Sequence, residues 1–444
     1  MFFNSGRIFR TDYVSLVTAI LYVFIFRFIY TDYLVPLWGY FGYYNNNSDG
    51  IRIITSNIFA VLPILCYSNK KVISNLISIL IYILVYLPTI IMIQYYFVDF
   101  QLAIKYQLVF LLGMTLFFLS DIDSGKVVIL KKNYIPIKFY LWVGIIMLLF
   151  VVIYYGSSLR LVSFSKIYEL RVDNYGAKLS RFPLIGYFIL WISNFFRPLF
   201  LSIGLVYKKK EFVLIGVLMA ILIYMATATK GTLFSPLFAF GLYWCLKYIG
   251  FKYLFPLIVF FFLLVVSLFK LTEHSESSIS SVFFVISAIL LMRSLGISAL
   301  LNTVYIDFFE TTKLHTYYTH INVVNSIFGG YPFGEDALGK AVWGGYSGEN
   351  ADDAMNANAN FLATDGVAAM GIWGVLLVSI LFYFLLKYLN KVSKGHNTDF
   401  VFILCLGSIL SLLNVSLFTT LLSCGLILII ICLKYSTILI ILVK

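Results

Sequence analysis

Val72–Tyr96 reads VISNLISILIYILVYLPTIIMIQYY, a run without a single charge. Wound as a helix at about 1.5 Å per residue, it spans roughly the ~30 Å hydrocarbon core of a bilayer, with some to spare. Runs of similar length recur at 13–31, 52–69, 103–120, 139–157, 183–206, 211–229, 231–249, 253–271, 366–387, 399–417 and 419–439. The whole chain agrees with this reading: of 444 residues, 61% are hydrophobic and only 12% are charged, with a mean hydropathy of +0.95. A soluble domain of this size has nowhere to hide so much apolar surface, so the solvent is lipid. The expected fold class is an all-α polytopic integral membrane protein of about twelve transmembrane helices, forming one membrane domain over 1–444. The start, MFFNSGRIFR, is basic, but the apolar run after it is long enough to span and lacks a small-residue cleavage site. It therefore reads as the first spanning helix.

The net charge of +12 could point to nucleic acid, but the lysines are distributed as topology signals. Lys70/Lys71, the Lys126–Lys138 stretch, Lys208–Lys210, Lys247/Lys252 and Lys387/Lys391/Lys394 fall in alternate connections. With Arg7, Arg10, Lys434 and Lys444 they share one side of a twelve-helix arrangement, which the positive-inside rule makes cytoplasmic. Both termini are then inside. Two long connections lie on the other, periplasmic side: a basic loop at 158–182 and a large loop at 271–365. The second contains an apolar stretch, Val282 to Leu301, read as a re-entrant or surface-lying helix, the alternative being a further pair of spans with both ends returning outside.

Arginine behaves differently from lysine. Of the nine arginines only Arg7 and Arg10 fall on the cytoplasmic side, against 16 of the 23 lysines. Arg27, Arg52, Arg160, Arg171, Arg181, Arg197 and Arg293 are kept where the insertion signal disfavours them. Arginine suits bidentate phosphate recognition, so the expectation is a phosphate-bearing ligand at the outer face. Arg160, Arg171 and Arg181 are expected to form its clamp, together with Arg197, Lys230 at the outer turn of ATATKGTLFSPL, and Arg293. Arg197 stands directly before Pro198, where a hydrogen bond to a proline-freed carbonyl is the structural alternative. Arg293 has one too, pairing with Asp307 or Glu310.

The polar island Gly329–Gly374, GGYPFGEDALGKAVWGGYSGENADDAMNANANFLATDGVAAMGIWG, holds ten of the 29 glycines and six of the 20 carboxylates. Its GEDALGK imitates a phosphate-binding loop. It lacks the terminal Ser or Thr and follows no buried strand, so it is set aside. A glycosyl transfer needs a base for the incoming hydroxyl and cations for the leaving phosphate. His320, Asp336 and Asp365 are the candidate catalytic residues, and Asn360 a candidate glycan ligand. Asp352 and Asp353 read as solvated bystanders. His315 and His320 do not have metal spacing, and the five cysteines all lie within apolar runs, so no metal site and no disulfide framework are expected.

NANANFLATDGVAAMGIWGVLL, with ATATKGTL and MRSLGI upstream, resembles the bacterial Wzy-type O-antigen polymerases, which are related to the O-antigen ligases. The resemblance runs from roughly Arg160 to Trp373. It implies a multispanning, GT-C-like, metal-independent glycosyltransferase without cofactors. Such an enzyme polymerises undecaprenyl-pyrophosphate-linked oligosaccharide repeat units at the periplasmic face of the inner membrane. Membrane lipid and a chain-length regulator protein are its implied partners; nucleic acid is not. By position, Arg160, Arg171 and Arg181 match the family's basic loop. Ligases carry a His-Asn pair where this chain has His320-Ile321-Asn322, a departure that counts against the ligase. The ligase remains one alternative and a lipid-linked oligosaccharide flippase or transporter the other.

Overall fold

Aspartate caps and proline-linked π-turns shape the helices. In the computed structural model, which describes residues 9–46, 49–122, 135–161, 181–272, 278–350 and 355–436, no strand occurs among the described residues. The helices are α1 Tyr13–Phe41, α2 Gly50–Cys66, α3 Ile73–Tyr96, α4 Phe100–Leu119, α5 Ile137–Tyr155, α6 Leu184–Val206 and α7 Lys210–Thr227. They continue with α8 Lys230–Trp244, α9 Phe251–Leu271, α10 Val282–Thr312, α11 Asn322–Phe328, α12 Leu338–Ser347 and α13 Leu362–Ser393. The last are α14 Thr398–Leu412, α15 Leu417–Leu422 and α16 Leu426–Tyr435. Asp12, Asp49 and Asp99 cap α1, α2 and α4 by accepting from the amides of Ser15, Ile51 and Gln101 at 2.9, 3.4 and 2.8 Å. Three carboxylates are thus accounted for by helix starts.

Three of the π-turns follow one rule. Those at Tyr30–Leu34, Tyr82–Tyr86 and Ile192–Phe196 each end two residues before a proline: Pro36, Pro88 and Pro198. A proline inside a helix removes an N–H and pushes its ring against the carbonyl four residues back. The wider π-turn makes room for that ring without ending the helix.

Nine helices among the described residues are long and apolar enough to cross a membrane: α1, α3–α7, α9, α10 and α13. Eight of them coincide with expected spans. The expected spans at 52–69, 399–417 and 419–439 appear as shorter apolar helices, the last broken at Gly425, where φ is +75°, and the twelfth, 231–249, falls on α8, which is not among the nine. The ninth, α10, covers the apolar stretch expected inside the large outer loop.

The chain forms two units. The first comprises Met1–Ser124, Lys252–Tyr388 and Leu413–Leu417; the second comprises Gly125–Phe251, Leu389–Leu412 and Phe418–Lys444. Tyrosine knits the first together. Tyr22, Tyr82 and Tyr86 are buried, and their hydroxyls donate to the carbonyls of Ile83, Ala60 and Phe59 at 2.7, 3.0 and 2.6 Å. In lipid a buried hydroxyl must find a protein acceptor, and these bonds meet that demand.

Candidate active site

The helical segment α13 is not one straight helix. Met370 (φ −153°) and Gly371 (φ +58°) break it. The two arms run back alongside each other. The rings of Phe361 and Phe382 pack at a tilt with centroids 4.6 Å apart, and a Cβ on Gly374 would lie 2.1 Å from the Gly366 carbonyl oxygen. The first arm, which opens with the π-turn Leu362–Val367, is therefore a half-helix folded back against the second. It packs against the second arm through glycine-to-glycine contact.

Asparagine fixes where that half-helix begins. Asn360 is 1% exposed. Its Oδ1 accepts from the amide of Leu362 at 3.0 Å, and its Nδ2 donates to Asn302 Oδ1 at 2.9 Å. Asn302 in turn donates to Thr89 Oγ1 at 2.7 Å. Asn360 is thus at once an N-cap and a tie to α10 and α3. Its amide is committed within the protein rather than offered to a glycan.

The break at Met370–Gly371 leaves the last carbonyls of the first arm without helical donors. The segment Lys313–Ile321 supplies them. The amides of Thr316 and Tyr317 donate to the carbonyls of Ala368 and Ala369 at 2.8 and 3.0 Å. To do so the chain holds Tyr317 and Tyr318 in succession at φ +44° and +68°. Left-handed backbone costs a residue with a Cβ about 1–3 kcal/mol, and such strain concentrates at functional sites.

This docking brings His320 onto Asp365. His320 Nε2 lies 3.2 Å from Asp365 Oδ1, with side chains 6% and 0% exposed. The second carboxylate oxygen of Asp365 accepts from the amide of Leu417 at 2.5 Å. On the other side of the ring, His320 Nδ1 is 2.8 Å from Thr316 Oγ1, which is itself 3.2 Å from the Ala368 carbonyl. A carboxylate only accepts, so Nε2 carries a proton and Nδ1 is the basic nitrogen. Thr316 fits both states of that nitrogen. Its hydroxyl donates to Nδ1 when the ring is neutral, and turns to the Ala368 carbonyl and accepts when Nδ1 is protonated. Beside the pair, burial and then the Asp365 charge push the Tyr318 phenol up to about 12, so it stays protonated.

A second acid–aromatic group flanks the break. Tyr106 Oη donates to Glu310 Oε1 at 2.6 Å, and Glu310 pairs with Lys313. The His315 ring stacks on Phe309 at 5.7 Å, and its edge faces Gly371, where a Cβ would meet Cε1 at 3.3 Å. Asp307 accepts from Tyr96 at 3.1 Å. Asp307 and Glu310 are therefore engaged with tyrosines and a lysine rather than with Arg293, which is exposed on α10.

Of the expected site residues, the structure brings His320 and Asp365 into contact. Asp336 lies on the Tyr331–Asp336 turn, whose Tyr331 hydroxyl donates to its carbonyl at 3.0 Å, and is not part of that contact. The arginines divide. Arg10 donates to the carbonyls of Cys66 and Phe118, Arg27 to that of Ile53, and Arg52 to those of Phe97 and Val98. Arg197, 4% exposed, donates to the Thr232 carbonyl at 3.0 Å. Arg10, Arg52 and Arg197 serve helix ends and a proline-freed carbonyl, and Arg27 also donates to Asn57, Ser56, Gln94 and Tyr95, uses of arginine the charge asymmetry alone does not reveal. Arg160, Arg181 and Lys230 are exposed in the second unit. Arg171 lies outside the described residues, as do Asp352 and Asp353. Thr316 and Tyr106 escaped the sequence reading, and His315 and Glu310 entered it only as a histidine without metal spacing and a partner for Arg293. The only local signal was the polar density of ETTKLHTYYTH just beyond an apolar helix. Among the described residues no cluster of His, Cys, Asp and Glu could hold a metal ion. No family model, curated protein or solved structure matches the chain.

Proposed function

We propose that this chain is a membrane-embedded glycosyltransferase that polymerises undecaprenyl-pyrophosphate-linked oligosaccharide repeat units at the outer face of a bacterial inner membrane. The observation that carries the reading is the buried His320–Asp365 pair on the first arm of the α13 hairpin. The substrate class comes from the resemblance of the surrounding NANANFLATDG segment to O-antigen polymerases. In the proposed step, His320 Nδ1 takes the proton of an acceptor sugar hydroxyl. The hydroxyl oxygen bonds to the donor's anomeric carbon, and the bond from that carbon to the pyrophosphate oxygen breaks, the electron pair leaving with the pyrophosphate. Asp365 holds the ring and stabilises the imidazolium that forms. Cations steady the leaving group. Arg293, exposed in the same unit as the pair, is the first to test, followed by Arg160, Arg171, Arg181 and Lys230. Thr316 is 1% exposed, so the acceptor reaches Nδ1 only when the strained Tyr317–Tyr318 segment shifts.

The test is purified protein incubated with lipid-linked repeat units alone. Wild type should build a lipid-linked ladder, and His320→Gln should leave single units at equal protein level and thermal stability. A full-length ladder from His320→Gln would remove the histidine from the chemistry. Transfer only to a lipid A core acceptor would make the protein a ligase, and no covalent product a transporter.

A further inference from the structure

The helix next to His320 carries an apolar face that the protein leaves uncovered. At about 100° per residue, α11 gathers Val323, Val324, Ile327 and Phe328 on one side and Asn322, Asn325 and Ser326 on the other. An amphipathic helix packed on a bundle buries its apolar side. Here no residue of α11 is buried, and Val323, Ile327 and Phe328 are 63%, 69% and 80% exposed. Leu314 and Tyr317, on the segment that leads to it, are exposed as well. From Leu314 to Gly334 the chain holds no Asp, Glu, Lys or Arg. An exposed apolar patch of this kind marks a surface that meets lipid or another protein.

The contacts with α13 decide which, because they set the depth of the segment. Beyond the break, Trp373, Leu377, Leu381 and Phe384 are exposed at helical spacing along the second arm, the stripe a spanning helix turns to lipid. The stripe opens on Trp373, a residue that favours the headgroup level. His315 lies against Gly371, and the Tyr317 amide bonds the Ala369 carbonyl, so Leu314 and Tyr317 sit where the stripe begins. Asp365, which His320 reaches, adjoins Gly366, and Gly366 packs on Gly374 and Val375. The start of α11 is therefore level with the first turn of the stripe, and its apolar face meets acyl chains before it meets anything in water. We propose that α11 lies in the bilayer interface, with Val323, Ile327 and Phe328 among the upper acyl chains of the leaflet at the α13 break and the asparagines toward the headgroups. Its polar side is amide and hydroxyl, so anionic lipid is not required. If the proposed reaction holds, on which this last step rests, the helix keeps His320 at the depth where a lipid-linked sugar arrives.

The test measures depth without turnover, so it stands apart from the glycosyl transfer. Ile327→Cys, Phe328→Cys and Asn322→Cys, each in a background without the native cysteines, take a nitrobenzoxadiazole label in full-length protein held singly in phosphatidylcholine nanodiscs. Labels at 327 and 328 should emit at shorter wavelength than the label at 322, and should lose intensity when the lipid is brominated on its acyl chains. Water-like emission at all three positions, untouched by brominated lipid, would overturn the proposal. Short-wavelength emission that brominated lipid leaves unchanged would place the face against protein and overturn it as well. In case a labelled variant misfolds, wild type can be crosslinked by phosphatidylcholine carrying a diazirine on its acyl chain. The peptide holding Ile327 and Phe328 should carry the lipid adduct; adducts on the Trp373–Phe384 stripe with none on that peptide would sink the idea.

Discussion

The proposed chemistry turns on three side chains of unequal weight. Asp365 is the most constrained, with both oxygens engaged and no exposure. Asp365→Asn keeps its shape but presents an amide that can turn its N–H toward His320, favouring the wrong tautomer. Ladder synthesis should fall by about 10²–10⁴-fold with little change in Tm, the range for losing a positioned acid–base partner. Single-turnover assays of equal amounts of protein would read this, and an unchanged rate would show that the carboxylate only anchors Leu417. Thr316 acts through the ring. Thr316→Val keeps the volume but removes the hydroxyl that follows the state of Nδ1, so the rate should drop about 10–100-fold, one hydrogen bond to a charged group. Thr316→Ser should restore most of it. If valine and serine are equally impaired, the side chain serves packing and not proton handling.

The hairpin α13 makes its prediction at the level of the element. Its arms meet only because two glycines face each other, so Gly374→Ala drives a Cβ into the Gly366 carbonyl at 2.1 Å. Overpacking against backbone cannot be relieved by a rotamer change, and the cost should reach about 3 kcal/mol, the upper end for such insertions. Gly241 in α8 offers the control: a Cβ there meets nothing within 4 Å, and Gly241→Ala should be neutral or stabilise by up to about 1 kcal/mol. Tm values measured side by side decide the point, and equal effects at the two sites would mean the hairpin arms are not in contact. The sequence makes the glycines and Asp365 visible as a polar, small-residue interruption of an apolar run. It does not make the hairpin visible, because an apolar run that folds back has the same composition as one that continues. The three proline-linked π-turns were hidden for a related reason. Each proline reads as a breaker, and only tertiary burial turns the break into a bulge within a continuing helix.

For the whole molecule the open matter is what α10 does to the topology, and the first unit's own contacts argue it. One end of this unit is marked by Arg10, which bonds Asp121 and the Cys66 carbonyl, and by Lys252, which pairs with Asp12 at 3.3 Å. The starts of α1 and α9 and the ends of α2 and α4 therefore lie together, as alternating crossings require. The other end is marked by Arg52, which reaches from the start of α2 to the carbonyls of Phe97 and Val98 beyond α3. Both flanks of α10 touch that second end: Ser287 lies 3.4 Å from Tyr33, and Asp307 accepts from Tyr96 at 3.1 Å. Those two contacts argue for a helix that does not carry the chain across. The sequence expectation of an outer-face helix within 271–365 predicts that His320 shares the side of Arg52, opposite Lys252. Single cysteines at Lys252 and Glu335, in a background without the native five, should settle it. A membrane-impermeant maleimide should label Glu335→Cys in cells with only the outer membrane opened, and Lys252→Cys only after the inner membrane is breached. Protection of Glu335→Cys in the first condition would mean that α10 does cross. The His320–Asp365 pair would then face the cytoplasm, away from a periplasmic acceptor.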